Sequence, residues 1–274
     1  MSFDALETSL DAGRPLSLYH FYRGGLGWSY TTADREITYQ GGAFTPVAIS
    51  DDGRRLTGQT TADALSITAP ADLPIAQLYR GAAPAGRVSL TIHDLHLAED
   101  GQLFGMVAWV GSITDVRWPA NDRCRITCQA IDSVLDRPGL RLTWQRECPH
   151  NLYDRNCRVN PAWHRVGGTI AALDGARVRV GPASGLPDGR YKGGFLEWDV
   201  GGGVLEQRGI QGHQGEWLTL FGGTFGLTAG LGVSIYPGCD NVIQTCSDVY
   251  GNSPNYGGVP RLPGESPFSG QPIF

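Results

Sequence analysis

Short runs of β-branched and aromatic residues, each closed by Gly, Asp or Pro, limit what this chain can fold into more than any other feature. "PLSLYHFY", "WSYTTA", "EITYQGGAFTPVAIS", "ALSITAP", "RVSLTIHDL" and "MVAWVGSITDVRW" follow one another between Pro15 and Trp118. No such run sustains a 3.6-residue apolar period over the ten or so residues a helix core needs, so the chain reads as strands joined by turns. The 39 glycines and 17 prolines among 274 residues act in the same direction, shortening every element. "YQGGAF" and "SDDGR" read as hairpin turns, where glycine takes positive φ without a Cβ clash. Only short helices are expected. One is a docking helix in the first ten residues, where Phe3, Leu6 and Leu10 recur at helical spacing and Gly13 supplies a stop. A second is expected in "DLPIAQLYRG" and a third through "IDSVLDRPG", ending at Pro138.

After Trp118, "CRITCQAI" alternates Cys124, Ile126, Cys128 and Ala130 with Arg125, Thr127 and Gln129. A period of two puts Cys124 and Cys128 on the buried face of one strand, the usual place of a free cysteine. A second β-rich block runs from Arg165 to Pro237, with turn signals about every ten residues, the rhythm of a small sandwich or barrel. Beyond Cys246 the composition changes. Residues 247–274 hold five prolines and five glycines in 28 positions, which reads as an extended arm lying on another surface, held by Tyr250, Tyr256, Leu262 and Phe268. The expected architecture is all-β, with two β-rich modules of sandwich or barrel type, few short helices and an extended C-terminal arm. Residues 1–140 form the first module, 141–246 a cysteine-bounded module with an inserted β block at 165–238, and 247–274 the arm.

Charge and hydropathy exclude several classes. A formal net charge of −5, with Lys192 the sole lysine, argues against a surface that grips nucleic acid by neutralising phosphates. No apolar run is long enough to cross a bilayer, and the acidic opening "MSFDALETSLDAG" lacks the basic start and apolar middle of a secretory signal, so the chain is expected to be made in the cytosol.

Four cysteines remain, in two loops that bracket the second β block. Eight residues separate Cys148 from Cys157 in "ECPHNLYDRNCRVN", and six separate Cys239 from Cys246 in "GCDNVIQTCSD". The entry and exit of a compact module often lie close together, so all four sulfurs are able to converge. Three chemistries use such a meeting place: two disulfides, disfavoured in a reducing cytosol; a structural zinc, whose paired ligands usually stand two to four residues apart; and an iron–sulfur cluster, broader than one ion and tolerant of looser spacing. Spacing alone leaves these three open.

The two pairs, followed by the Gly/Pro-rich aromatic tail "YGNSPNYGGVPRLPGESPF", resemble the tail-tip hub family of long non-contractile phage tails. That family includes the minor tail protein L of phage lambda and the hub proteins of gene transfer agents. The resemblance covers the second half of the chain. It implies that Cys148, Cys157, Cys239 and Cys246 hold a 4Fe–4S cluster. It also implies a homotrimeric ring at the virion tail tip, assembled in the host cytoplasm. Its partners would be the distal tail ring, the central hub or fibre protein and the tape-measure protein, with DNA passing through without specific binding. The 81 residues between Cys157 and Cys239 exceed the lambda-type gap and are closer to the gene-transfer-agent type.

Other chemistry-bearing residues have plainer readings. His150 and His164 flank the first pair as surface or supporting residues, because four cysteines complete a ligand set. His93 and His96 in "HDLH" read as turn residues at a strand end, and Asp51 and Asp52 as a turn. "GPASG" around Ser184 is no nucleophile elbow, and Gly201–Gly203 lacks the lysine of a phosphate loop. The chain is therefore expected to be a structural protein. Its rival is a metal-dependent redox or hydrolytic enzyme using the same cysteines, which requires an open coordination position.

Overall fold

The computed structural model describes residues 3–9, 14–55, 57, 63–98, 101–134, 139 and 143–262. Leu10, Gly13, Pro138 and Phe268, named above in the sequence reading, lie outside them. The chain divides into two units, Met1–Arg137 with Asp199–Glu206, and Pro138–Trp198 with Gln207–Phe274.

The first unit is built on nine strands. They are β1 (Pro15–Arg23), β2 (Leu26–Thr31), β3 (Ile37–Tyr39), β4 (Gly42–Pro46), β5 (Ser50–Asp51), β6 (Leu65–Pro70), β7 (Ser89–Leu97), β8 (Leu103–Ala120) and β9 (Arg123–Ala130). They form a single sheet in the order β3-β4-β2-β1-β7-β8-β9-β6-β5. The sheet is mixed, because β2 and β4 run parallel while the other pairs are antiparallel. Period-two burial sets the register. In β9, Cys124, Ile126, Cys128 and Ala130 are buried, and their partners across β6 include Ala69, Ile67 and Leu65. The β3–β4 connection is a two-residue hairpin loop in which Gln40 and Gly41 have φ of 49° and 81°. Positive φ at both central positions matches the right-handed twist of the flanking strands, and glycine adopts it without a Cβ penalty.

Short helices punctuate the sheet. Helix α1 (Phe3–Glu7) buries Leu6, and α2 (Pro74–Gln77) starts on the fixed φ of Pro74. "IDSV" makes a 3-10 turn over Ile131–Val134. His93 and His96 stand within β7 instead of a turn; His96 is buried, lies 2.5 Å from Glu7 and packs on Phe3 with the rings tilted at 57°. The longer β8 extends the pairing of β7 to Leu97, and so draws both histidines into the ladder. The "SDDGR" stretch is not a hairpin turn: Ser50 and Asp51 form β5, whose partner β6 begins only at Leu65, and Asp51 accepts hydrogen bonds from Gly53 N, the Tyr19 hydroxyl and Arg54. Arg23 donates to Glu206 at 2.6 Å with both side chains buried, and Glu206 also accepts from Ala85 N. Removing either partner would leave the other's charge buried and uncompensated, a loss of about 3–5 kcal/mol.

His93 on β7 lies in the field of His20 on β1. Burial lowers the proton affinity of His20; burial and then His20 lower that of His93, while Asp94 opposes the change. A histidine depressed in the fold is neutral there, so its contribution is complete above its unfolded value of about 6.5 and is lost as pH falls toward the folded value. The urea midpoint is therefore expected to be lower near pH 5 than near pH 7.5, and the His20→Gln/His93→Gln double variant is expected to lose less on acidification. An equal acid loss in both proteins would assign the effect to other groups.

The second unit carries a closed barrel. Its strands are β10 (Val166–Asp174), β11 (Arg177–Val180), β12 (Phe195–Asp199), β13 (Leu205–Gln214), β14 (Trp217–Leu220) and β15 (Gly232–Tyr236), in the order β10-β11-β14-β13-β12-β15. Alternation again selects the interior. Val178, Val180, Leu196, Ile210, Leu218 and Ile235 are fully buried there. The architecture is thus mostly β, a mixed sheet and a six-stranded barrel with few short helices, as the sequence pattern predicts.

Candidate metal centre

The barrel's register brings its two chain ends together. Its first strand pairs with its last, Val166 opposite Ile235 and Gly167 opposite Ser234. Cys148 and Cys157 precede the first of these strands and Cys239 and Cys246 follow the last, so the two cysteine segments leave from one end of the barrel.

Each segment is shaped by short polar contacts. In the first, Asp154 accepts from Asn156 N at 2.8 Å, Cys157 N at 2.6 Å and Asn151 N at 3.1 Å. Burial alone would raise the Asp154 carboxyl, but the amide donors of Cys157, Asn156 and Asn151 outweigh it and hold the carboxyl below the ordinary value. In the second, the structure places Cys246 on a helix, α3 (Ile243–Asp248), where the sequence reading had a loop. Asp240 explains the difference. Its carboxylate accepts from Val242 N, an Asx turn just ahead of the helix, and from the Thr245 hydroxyl within its first turn. Among the described residues, four non-glycine positions have positive φ, and three of them, Tyr153, Arg158 and Asn241, lie in these two segments. Such backbone persists only where surrounding contacts over-determine it.

Those contacts cross between the segments. Cys148 N donates to Asn241 O at 2.9 Å. The Tyr256 hydroxyl lies 2.7 Å from Arg146 O and 3.1 Å from Asn241 O. Asn252 N donates to Cys246 O at 2.9 Å, and Asn252 Nδ2 donates to Cys157 O at 2.6 Å. The part of the C-terminal arm that is described lies on these same segments. Tyr250 donates to Gly238 O, Tyr256 is placed as above, and Leu262 O accepts from Arg146 Nε.

Cys148, Cys157, Cys239 and Cys246 all line one small cavity of about 20 Å³, together with His150, Leu152, Tyr250 and Asn252. All four are free thiols. Among the described residues, no three His, Cys, Asp or Glu side chains are grouped closely enough to hold a single metal ion. Three N–H groups point at the sulfurs: Asn241 N at 3.3 Å from Cys239 Sγ, Gly257 N at 3.4 Å from Cys148 Sγ and Asn252 Nδ2 at 3.7 Å from Cys157 Sγ. Burial, then the neighbouring Cys148, Cys157 and Cys239 sulfurs, push the Cys246 thiol up; burial also leads at Cys239, against the Asn241 amide. Four thiolates in this space repel one another and, at Cys157 and Cys246, are buried from water, so they are stable together only around positive charge.

Around the cavity lies an aromatic layer. Tyr153 packs on His164, Phe195 and Tyr236, and His164 meets Tyr250 edgewise at 5.0 Å. The Arg190 guanidinium sits over the Tyr250 ring and donates to Gly238 O at 2.6 Å. His150 lines the cavity, whereas His164 belongs to this layer. Cys239 also borders an open cleft of about 940 Å³ that carries Arg190 and Lys192. Sequence reasoning did not single out Asp154, Arg190 or Asn252; the roles of Arg190 and Asn252 come from partners 48 and 95 residues away. Only Asp154, three residues before Cys157, left a local signal, that of an Asx turn.

Cys124 and Cys128 take no part in this arrangement. Both are fully buried in β9, and Cys124 Sγ donates to Pro70 O. Ser184 lies in a 3-10 turn, its hydroxyl bonded to Gly181 O.

Comparison with known proteins adds an independent line. Residues 22–160 match the family described as "Baseplate hub protein, N-terminal attachment domain", and residues 189–266 match "Phage conserved hypothetical protein BR0599". The first match includes Cys148 and Cys157, the second Cys239 and Cys246. An uncharacterized protein of Xylella fastidiosa (strain 9a5c) is 27% identical over 188 residues, which is 64% of this chain and 38% of that protein, so the chain spans well under half of this relative's length. A chain from the structure titled "Virion of native gene transfer agent (GTA) particle" has the same fold, with a TM-score of 0.77 at 19% identity, covering 99% of this chain and 95% of that one. Since the hub-domain match takes in just over half of the residues, the chain belongs to the phage baseplate hub protein family.

Proposed function

We propose that this chain is a structural subunit of a phage or phage-like tail tip, in which Cys148, Cys157, Cys239 and Cys246 hold a 4Fe–4S cluster that staples the fold. One observation carries the reading: four cysteines from two distant segments line a single small cavity, with N–H groups directed at three of the sulfurs. Soft thiolate donors suit zinc or iron–sulfur centres. The hub-family resemblance, together with spacings of eight and six residues that a cluster tolerates, favours the broader cluster, whose ligands sit at separate corners. Four cysteine ligands leave no open coordination position, which favours a structural role over an enzymatic one.

When bound, the cluster would supply a rigid four-cornered cross-link. The chain's own residues do the rest. Asp154 and Asp240 shape the segments that present the sulfurs, Tyr256 and Asn252 tie those segments together, and the aromatic layer keeps water from one side. Membership of the baseplate hub family and the likeness to a chain of a gene-transfer-agent virion support a place in the virion tail. The finer assignment follows the tail-tip hub family resemblance. It is a homotrimer between the distal tail ring and the central hub or fibre, in contact with the tape-measure protein and lining the DNA exit channel. An acidic chain with net charge −5 suits transit, because it repels phosphate instead of holding it.

Anaerobic purification, metal and sulfide analysis and a visible absorption spectrum test the cluster. The expected result is iron and acid-labile sulfide in equal amounts, about four of each per chain. One zinc per chain without sulfide, or metal-free protein of unchanged stability, would sink it.

A further inference from the structure

Asn252 touches cysteines of both segments, Cys246 through its backbone and Cys157 through its side chain, and no sequence motif announced it. Its backbone N–H donates to Cys246 O at 2.9 Å. Its side-chain Nδ2 donates to Cys157 O at 2.6 Å and stands 3.7 Å from Cys157 Sγ. Its Oδ1 accepts from Asn255 Nδ2 at 2.7 Å. The amide orientation is fixed by chemistry: Cys157 O can only accept, so the NH₂ end must face it, and the second N–H of that group is left for the sulfur. Asn252 thus spans ligand residues from both segments, 95 and 6 positions away in the chain.

We infer that Asn252 is a positioning residue of the centre, which fixes the Cys157 sulfur and, through its N–H dipole, sets how readily the bound cluster takes up an electron. This rests on the iron–sulfur reading above. An N–H directed at a ligand sulfur stabilises negative charge there, and the reduced cluster carries more of it, so the bond favours reduction. Losing an outer partner of a metal ligand also weakens retention, on the order of 10- to 100-fold.

The test uses full-length protein purified anaerobically, with Asn252→Leu, Asn252→Asp and Asn255→Leu beside the wild type. Leucine keeps the volume and removes the donor; aspartate also adds negative charge next to Cys157. The expected order of reduction potentials, by redox titration of the visible absorption, is wild type highest, N252L lower and N252D lowest. Iron release to a chelator should be about 10- to 100-fold faster in N252L. N255L removes the donor that holds Asn252 Oδ1 and leaves the Asn252 N–H groups in place, so it should load fully and, by loosening the amide, shift the potential the same way by less. It keeps the test decisive if the Asn252 variants do not load. A purely structural Asn252 would change folding yield and leave the potentials of loaded protein equal; equal potentials in every variant that loads, N255L included, overturn the inference alone. A wild type without iron overturns the cluster reading, and this inference with it.

Discussion

Serine at Cys157 or at Cys239 is expected to cost the second unit about 4–5 kcal/mol and the cluster itself. The size follows from topology. Cys157 and Cys239 are separated by 81 residues, and treating the cluster as a covalent link across that gap gives the loop-closure entropy of the unfolded chain, about 4–5 kcal/mol at room temperature. Domains are stable by roughly 5–15 kcal/mol in total, so the loss takes a large share of it. Because metal binding and folding are coupled, the effect should be local first: residues 147–160 and 238–250 should lose hydrogen-exchange protection before the barrel does. Cys124→Ser is the control. Its sulfur is fully buried in β9 and donates to Pro70 O, a bond a hydroxyl can keep, so it should retain iron and cost about 1 kcal/mol. Tail assembly, counted as finished particles, should fail with the two ligand variants and persist with Cys124→Ser. Full iron content in Cys157→Ser, or equal assembly in all three, contradicts the staple.

Sheet and barrel were legible because a half-buried strand writes its burial into the sequence at period two. Cys124, Ile126, Cys128 and Ala130 show it in β9, as do Val178 and Val180 in β11. The Gln40–Gly41 hairpin turn was legible for the same local reason. Strand order was not, since pairing of β1 with β7 or β10 with β15 is decided by contacts across tens of residues. The loop Asp199–Glu206 illustrates the limit. It falls between two barrel strands, yet belongs with the first unit, where Glu206 meets Arg23 across 183 positions. The same division runs through the site. Its four cysteines stood out by residue type and spacing, whereas the polar residues that hold them, Asn252 and Arg190 above all, are unremarkable in sequence. Their meaning lies entirely in which backbone carbonyl they reach.

Gly238→Ala should be nearly as damaging as loss of a ligand, although it removes no donor atom. A Cβ at position 238 would lie 1.9 Å from Lys192 O, 2.5 Å from Gly194 N and 2.6 Å from Gly193 C, all backbone atoms that cannot rotate away. The opposing chain is equally tight, since a Cβ at Gly194 would stand 2.0 Å from Tyr236 O. These two glycines let the strand leaving the barrel press against the 190–194 segment, and that approach aims the next residue, Cys239, into the cavity. The peptide is held in place by its own carbonyl: Gly238 O accepts from Arg190 Nη1 at 2.6 Å and from the Tyr250 hydroxyl at 2.7 Å, while Gly238 N donates to Arg190 O at 3.1 Å. To accommodate a methyl group, the two backbones must separate and break some of these bonds, a loss of about 3 kcal/mol or more. Gly185→Ala gives the contrast, because nothing lies within 4 Å of its Cβ position and its φ is not positive. It should be neutral, or stabilising by a few tenths of a kcal/mol through the unfolded state. Iron content separates this account from one of general destabilisation. Gly238→Ala protein that remains folded below its lowered melting temperature should still bind less iron than wild type, since the displaced Cys239 no longer meets the other three sulfurs; full iron loading in that variant would show that the close approach at Gly238 serves the barrel and not the centre.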